Sequence, residues 1–495
     1  MKLKHKIIIL FVATLALFSC EDAIDIEQVG NLDASVAFNN VSDLELGVIG
    51  VYGDLDNTAE IRYTALATDE VSIGTENGGQ GKSEYELNLN PTSGIPNSLW
   101  AINLRIAFIN RILEAAATIT PNDGEQTRYN TLLGELYAMR AYHHLVQQSY
   151  FTTDYTDDNA LGATKQDNVY VPTDFLPRNT NGEVFGLIET DLTKAFNLLP
   201  ATSPKNKFNK DFVTAMRARM NAYRGNYSDA LIYANMLIAN SNYNIATQAE
   251  FTAMINDQDN AGGNAEIIFE IDRNLSDNYS GQGLTGGGSV GSLFNFIASN
   301  TGGGPYLEMS RSLFNLLEAN DIRRTEYIDA SSLIDPTYAT NPDYLNSDVL
   351  VISKYPGSDG INLMNDLKIF RLSEMVFIKA EALADANDLN GAATQLKIIR
   401  DARYGSAQAI QSFANQTEAF GAILDERRKE LAFEGHRWID LKRLGVRGNR
   451  TIDRDARDCE LSGVCSLSAT SHLYTLPIPL RSLDINDNLV QNPGY

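Results

Sequence analysis

Ala218-Arg219-Met220-Asn221-Ala222-Tyr223-Arg224-Gly225-Asn226-Tyr227-Ser228-Asp229-Ala230 can be laid over Ala380-Glu381-Ala382-Leu383-Ala384-Asp385-Ala386-Asn387-Asp388-Leu389-Asn390-Gly391-Ala392 without a gap. In both stretches alanines recur one turn apart. Gly225 or Asn387 follows, an apolar residue (Tyr227 or Leu389) stands two positions on, and an alanine five positions on. Small side chains let two helices approach closely, and Gly or Asn accepts the left-handed backbone that ends a helix. The pair therefore reads as two copies of a helix–turn–helix unit of tetratricopeptide type, in which stacked hairpins share one core. The alternative is two unrelated hairpins, since alanine-rich helices also match by chance.

Helical spacing extends outward from this unit. Ser42 to Leu55 places Leu44, Val48, Val51 and Leu55 on one side, with Ser42 and Asp43 as cap residues. Ser98 to Ala117 aligns Leu99, Ile102, Ile106, Ile109 and Leu113, and Thr131 to Phe151, Gly182 to Leu199 and Phe212 to Ala239 continue the pattern. Pro200 stops the fourth of these helices. Two stretches break the helical texture. Thr58 to Asn97 reads as irregular and carries Gly78-Gly79-Gln80-Gly81 and Pro96. Ala261 to Pro305 is thick with glycine around Glu266-Ile267-Ile268-Phe269-Glu270-Ile271, whose alternation predicts a short strand. A helical frame with two long glycine-rich excursions predicts binding loops on a rigid scaffold.

At the N-terminus, Lys2, Lys4 and Lys6 precede an apolar run, Ile7 to Phe18, interrupted only by Thr14. The run is shorter than the ~20 apolar residues of a membrane helix. A basic start, a short apolar stretch and small residues before a cut describe a secretory signal over residues 1–19. Leu17-Phe18-Ser19-Cys20 resembles a bacterial lipobox, so Cys20 is expected to be lipidated and to begin the exported chain. Two or more acyl chains anchor stably where one does not. No second stretch is long and apolar enough to cross a bilayer, which makes the lipid the expected membrane contact. The formal net charge of −23 disfavours nucleic acid and anionic lipid as partners.

Cys459 and Cys465 are expected to bridge in an oxidising compartment, closing a short loop that stabilises the fold by roughly 2 kcal/mol; free thiols are the alternative. No histidine stands at metal-ligand spacing beside them, and the adjacent His143 and His144 point ~100° apart on a helix, too far to share one ion. Glu426, Glu430 and Glu434 recur every four residues, as on one helix face, with Arg427, Arg428 and Arg437 available as partners. Ion pairing within and between helices explains that spacing better than acid–base catalysis. No Gly-x-Ser-x-Gly, no His-Glu-x-x-His and no phosphate loop occurs. A pair of glycosidase carboxylates would still pass unnoticed among 63 acidic residues.

The C-terminal third has a more specific texture. Arg371-Leu372-Ser373-Glu374-Met375-Val376-Phe377-Ile378-Lys379-Ala380-Glu381-Ala382 leads to Ile399-Arg400-Asp401-Ala402-Arg403, and Glu430-Leu431-Ala432-Phe433-Glu434-Gly435-His436-Arg437-Trp438 follows. Leu476-Pro477-Ile478-Pro479 and Asn492-Pro493-Gly494-Tyr495 close the chain. With Trp100 through Leu113, Gly134-Glu135-Leu136 and Arg140-Ala141-Tyr142, these motifs resemble the SusD/RagB family, the outer-membrane nutrient-binding lipoproteins of Bacteroidetes.

The resemblance implies a mainly α, SusD-like fold: a tetratricopeptide-like helical-hairpin scaffold with long irregular loops and a few short strands. It covers residues 20–495 as one domain, with the scaffold at approximately 40–250 and 365–445, a loop-rich part at approximately 56–98 and 256–360, and a tail at 446–495. It implies a binder without catalytic residues, cofactor or metal, which captures a nutrient and sits as a lid on a SusC-like TonB-dependent transporter. Glu21-Asp22 after Cys20 resemble the acidic signal that sends such lipoproteins to the cell surface.

A sugar site stacks aromatic rings on pyranose faces, with amides and carboxylates on the hydroxyls. Trp438 reads as core and Trp100 as the start of a helix after a loop, so the stacking candidates are Tyr63, Tyr85, Tyr279 and Tyr306, with Trp100 beside them. Asp69, Glu70, Asn274 and Asn300 are the polar candidates, all nominated by loop location. An oligosaccharide or polysaccharide is the expected ligand. A RagB-type peptide binder and a tetratricopeptide-type protein-interaction factor are the alternatives.

Overall fold

The computed structural model describes residues 37–171, 173–257, 264–274, 289–295, 304–460 and 463–495. Cys20, Tyr279 and Asn300 lie outside them. The principal helices are α1 (Val41–Gly53), α2 (Thr58–Ala67), α3 (Ile102–Ala116), α4 (Gln126–Phe151), α5 (Asn181–Leu198), α6 (Lys210–Tyr223), α7 (Tyr227–Ile238), α8 (Leu372–Asp385), α9 (Leu389–Tyr404), α10 (Gln416–Glu430) and α11 (Arg437–Leu444). Among the described residues, six short strands form three antiparallel pairs: β1 (Val71–Ile73) with β3 (Leu307–Met309), β2 (Ile267–Ile271) with β4 (Leu367–Arg371), and β5 (Ile452–Asp453) with β6 (Ser466–Leu467).

The echo between residues 218–230 and 380–392 is geometric. Gly225 (φ 71°) and Asn387 (φ 62°) both take the left-handed conformation. The Asn226 N–H donates to the Asn221 carbonyl at 2.9 Å, and Asp388 does the same to Leu383 at 2.8 Å, the six-to-one bond of a helix stop. Ala218, Ala222 and Ala230, like Ala380, Ala384 and Ala392, are buried. The two hairpins, α6–α7 and α8–α9, meet through α7 against α8. The scaffold continues upstream as α3, α4 and α5 packed in turn, and downstream as α10 and α11. α4 is buried on almost every side over its second half, as befits a helix at the centre of a bundle.

Local chemistry sets the helix ends. α5 begins with a full capping box, Thr180 and Glu183, and ends at Leu198 before Pro200. At α1 the cap is Asn40, whose side chain accepts from the Ser42 and Asp43 N–H groups; these two residues are capped rather than capping. The predicted strand at 266–271 is β2, with an irregularity in its pairing to β4.

The expectation that residues 58–97 are irregular is corrected by α2. Seven of its ten residues, including Ile61, Tyr63 and Leu66, are buried. A helix covered on most sides has no polar stripe, so it shows no amphipathic period. Trp100 ends a short helix, Gly94–Trp100, rather than starting one.

The glutamates of the C-terminal motif serve the fold. α10 stops at Glu430, and Phe433 (φ 62°) and Gly435 (φ 85°) turn the chain back, so Glu434 comes from a turn and shares no helix face with Glu430. Their partners are also not those adjacent in sequence. Glu430 accepts from Arg371 (2.8 Å), Arg403 (2.7 and 3.0 Å) and Arg323 (3.2 Å), all buried. Arg371 also reaches Glu434 and Glu266, and Arg403 reaches Glu266. The cluster thereby clamps β2, β4, α9 and α10 together. Burial raises the Glu430 pKa, but Arg403, Arg371 and Arg323 outweigh it and hold the carboxyl well below its usual range. Arg427 pairs with Asp440, while Arg437 and Arg428 pair with Asp69. Trp438 is fully buried between Tyr63 and Tyr474, at ring separations of 4.9 and 4.8 Å.

Candidate functional site

α2 delivers the chain through Thr68, Asp69 and Glu70 into β1, which pairs antiparallel with β3: Val71 with Met309, Ser72 with Glu308, Ile73 with Leu307. This ladder joins the two glycine-rich excursions, because the residues just past it are Gly74 on one strand and Tyr306 on the other. The Gly74 N–H donates to the Tyr306 carbonyl at 3.1 Å, and the Asn77 side-chain amide donates to the same oxygen at 3.1 Å. Beyond Asn77 the loop turns on Gly78, Gly79 and Gly81, all with positive φ.

The approach is too close for a side chain. A β-carbon on Gly74 would fall 2.0 Å from the Pro305 carbonyl oxygen. Gly74→Ala should therefore splay the two loops, lowering stability by about 1–3 kcal/mol and weakening ligand binding; thermal unfolding and calorimetry on the same variant check both.

The junction presents Thr75, Glu76, Gly78 and Gly79 to solvent and leaves Tyr306 half-buried. Asn77 is buried, and its side-chain amide oxygen has no hydrogen-bond partner among the described residues. Sequence reasoning passed over Asn77, although it directly precedes the Gly78-Gly79-Gln80-Gly81 run. Beneath the junction, Arg457 bonds Glu308 of β3 at 3.0 Å, and the Arg311 N–H bonds Asp458 at 2.8 Å. Cys459 and Cys465 form a disulfide, with Cα atoms 4.9 Å apart, directly after that pair.

Four nominated residues are corrected by burial. Tyr63 lies wholly inside the core, its ring edge-on to Tyr150 and Trp438, so no face is left for a sugar. Tyr85 lies beneath the Arg454 guanidinium, 3.8 Å from the ring centre, and its hydroxyl donates to the Asp458 carbonyl. Asp69 is fully buried and accepts from Arg437 at 2.9 and 3.0 Å. Burial raises its pKa, but Arg428 and Arg437 outweigh that and bring the carboxyl down to about 2.

Glu70 is fully buried, accepts from the Phe433 N–H at 3.2 Å, and is pushed up to about 8 by burial. Between its ordinary value of 4.5 and about 8, the folded chain holds a proton that the unfolded chain has released. Stability from this group therefore falls as pH rises through that window. Glu70→Gln, neutral at every pH, should flatten the decline and stabilise the protein at pH 8 by on the order of 2 kcal/mol; melting temperatures at pH 5 and pH 8 test this.

The remaining candidates among the described residues do not form one pocket. Trp100 packs edge-on to Phe151 and lines a scaffold groove of about 330 Å³ with Leu104, Tyr170 and Phe175. Asn274 is exposed past the end of β2, next to Arg273, which pairs with Asp56 just before α2. Tyr306 lies just past the β1–β3 ladder, where its carbonyl accepts from the Gly74 N–H. Of the described nominees, only Tyr306 lies at the loop junction. The neighbouring histidines are buried and separately used: His144 Nδ1 faces the Arg140 carbonyl at 2.9 Å, and burial lowers His143 to about 3 and His144 to about 4.

Residues 34–221 match a family model described as starch-binding associating with outer membrane, and residues 323–495 match the SusD family model. SusD-like protein P2 of Formosa agariphila is 25% identical over 99% of this chain and 100% of its own length. The starch-binding protein SusD of Bacteroides thetaiotaomicron is 28% identical over 26% of this chain and 22% of its own. A crystal structure of a SusD superfamily protein from Bacteroides thetaiotaomicron shares the fold, with a TM-score of 0.76 at 22% identity, covering 92% of this chain and 100% of that one. Matched at both ends and paralleled along its length, the chain belongs to the SusD/RagB family.

Proposed function

We propose that this protein captures a neutral oligosaccharide at the junction of its two loop excursions and delivers it to a SusC-like TonB-dependent transporter, tethered to the outer membrane through lipid on Cys20. The observation that carries the reading is the β1–β3 ladder, which seats Tyr306, Asn77 and the Gly78–Gly81 turn on a rigid helical frame. Tyr306 is a half-buried aromatic side chain at the junction, one of the kinds of group that sugar recognition needs. The starch-binding description of the matching family model supports a glycan, and the net charge of −23 favours a neutral one over a polyanion.

No cofactor enters this role, and the ligand is released unchanged. Titration calorimetry of the exported chain against a glycan panel and a peptide digest tests it. Heat should appear with a neutral oligosaccharide, and chromatography of the mixture should show no shortened product. Tyr306→Ala should then weaken binding by about tenfold. Heat with peptides alone would transfer the site to a RagB-type peptide binder on the same scaffold.

A further inference from the structure

The helical scaffold holds a second cavity, of about 340 Å³, away from the loop junction. Its walls are α1, α4 and the segment after α5: Val48, Ile49, Leu132 and Phe208 give it an apolar lining. That volume lies within the ~300–1,000 Å³ range of small-molecule sites, which pair apolar walls with a few convergent polar groups.

The polar groups here are specific. Glu135 is 7% exposed, and its carboxylate accepts from the Tyr52 hydroxyl at 2.9 Å. The Phe208 N–H donates back to that hydroxyl at 3.1 Å, which fixes the Tyr52 ring. Over the ring, 4.0 Å from its centre, is the Lys207 ammonium. The cavity thus already displays a cation on an aromatic face beside a buried carboxylate, an arrangement that recognises amines. The ammonium occupying it comes from a flexible side chain on a loop.

We infer that this cavity is a binding site for a primary organic ammonium with a compact apolar body, in which Lys207 acts as a tethered competitor. The ligand would place its ammonium over Tyr52 and against Glu135, its body against Leu132 and Phe208, and displace the Lys207 head into solvent. Burial raises Glu135 to about 7, against the Tyr52 hydrogen bond and the Lys207 charge, which act to lower it. The other charged groups lining the site are Glu45 of α1 and Arg128 of α4, which pair with each other. An ammonium ligand favours the ionised Glu135, so its affinity should fall as pH drops from 8 to 6.

The test is titration of the exported chain with benzylammonium chloride, followed by calorimetry or by ligand NMR. Lys207→Met keeps the apolar stem and removes the competitor; it should bind benzylammonium at least tenfold more tightly than the natural chain at pH 8. Glu135→Gln, combined with Lys207→Met and checked for a native circular dichroism spectrum, should lose that gain. An unchanged affinity in Lys207→Met, or equal affinity for uncharged benzyl alcohol, overturns the proposal, and neither readout depends on Glu135→Gln folding.

Discussion

Glu430→Ala should lower the unfolding free energy by about 3–5 kcal/mol, the largest loss expected from any single carboxylate in this protein. Glu430 is where Arg371, Arg403 and Arg323 converge, and each of these guanidinium groups is at most 2% exposed. Truncation leaves three buried cations with one fewer counter-charge, and Glu266, Glu434 and Asp321 already serve them. The cost comes from stranded charge more than from lost attraction, because bringing each ion out of water was already unfavourable. Glu430→Gln should therefore be damaging as well. Asp385→Asn is the control: its pair with Arg447 is more than one-third exposed on both sides, so its loss should cost at most about 1 kcal/mol. Urea unfolding midpoints for the three variants, read at constant slope, give the comparison.

Asp69→Ala should follow, at about 3 kcal/mol or more, through a different junction. Asp69 ties the chain between α2 and β1 to the start of α11 and to β5: it accepts from Arg437 twice and from the Asp453 N–H at 3.1 Å, with Arg428 of α10 also nearby. Its folded pKa of about 2 lies below its ordinary value of 3.8. This stabilisation is present above pH ~4 and is lost as pH falls through that window, the reverse of the Glu70 effect. The variant should thus be destabilised at neutral pH and lose part of the wild-type acid sensitivity. Its folded fraction should bind ligand with near-normal affinity, since Asp69 is fully buried. A large affinity loss in fully folded Asp69→Ala protein would restore the residue to the binding site.

These two residues show what a sequence can and cannot disclose here. The alanine positions and the Gly225 and Asn387 stops are local properties, and they specified the hairpin scaffold directly. Trp438 read as core and is core. Asp69, Glu70, Tyr63 and Tyr85 were nominated because they lie in a stretch without helical period. Their burial depends on partners such as Arg437, Phe433, Trp438 and Arg454, more than 350 positions away along the chain. Arg323, Arg371 and Arg403, at 107, 59 and 27 positions from Glu430, were likewise hidden as its partners because none of them is a neighbour on its own helix. Tyr306 could be nominated from its place beside one glycine run, and Asn77 stands beside the other, but the bond between them depends on the pairing of β1 with β3.

The central claim is that the ligand is held where the two excursions meet, with the helical frame as passive support. Hydrogen–deuterium exchange of the exported chain, alone and saturated with the oligosaccharide that gives heat in calorimetry, tests it most directly. Slowed exchange at residues 74–82 and 304–309, with α4 through α9 unchanged, is the predicted result. Slowed exchange confined to the scaffold helices, with the β1–β3 junction unaffected at saturation, would contradict it.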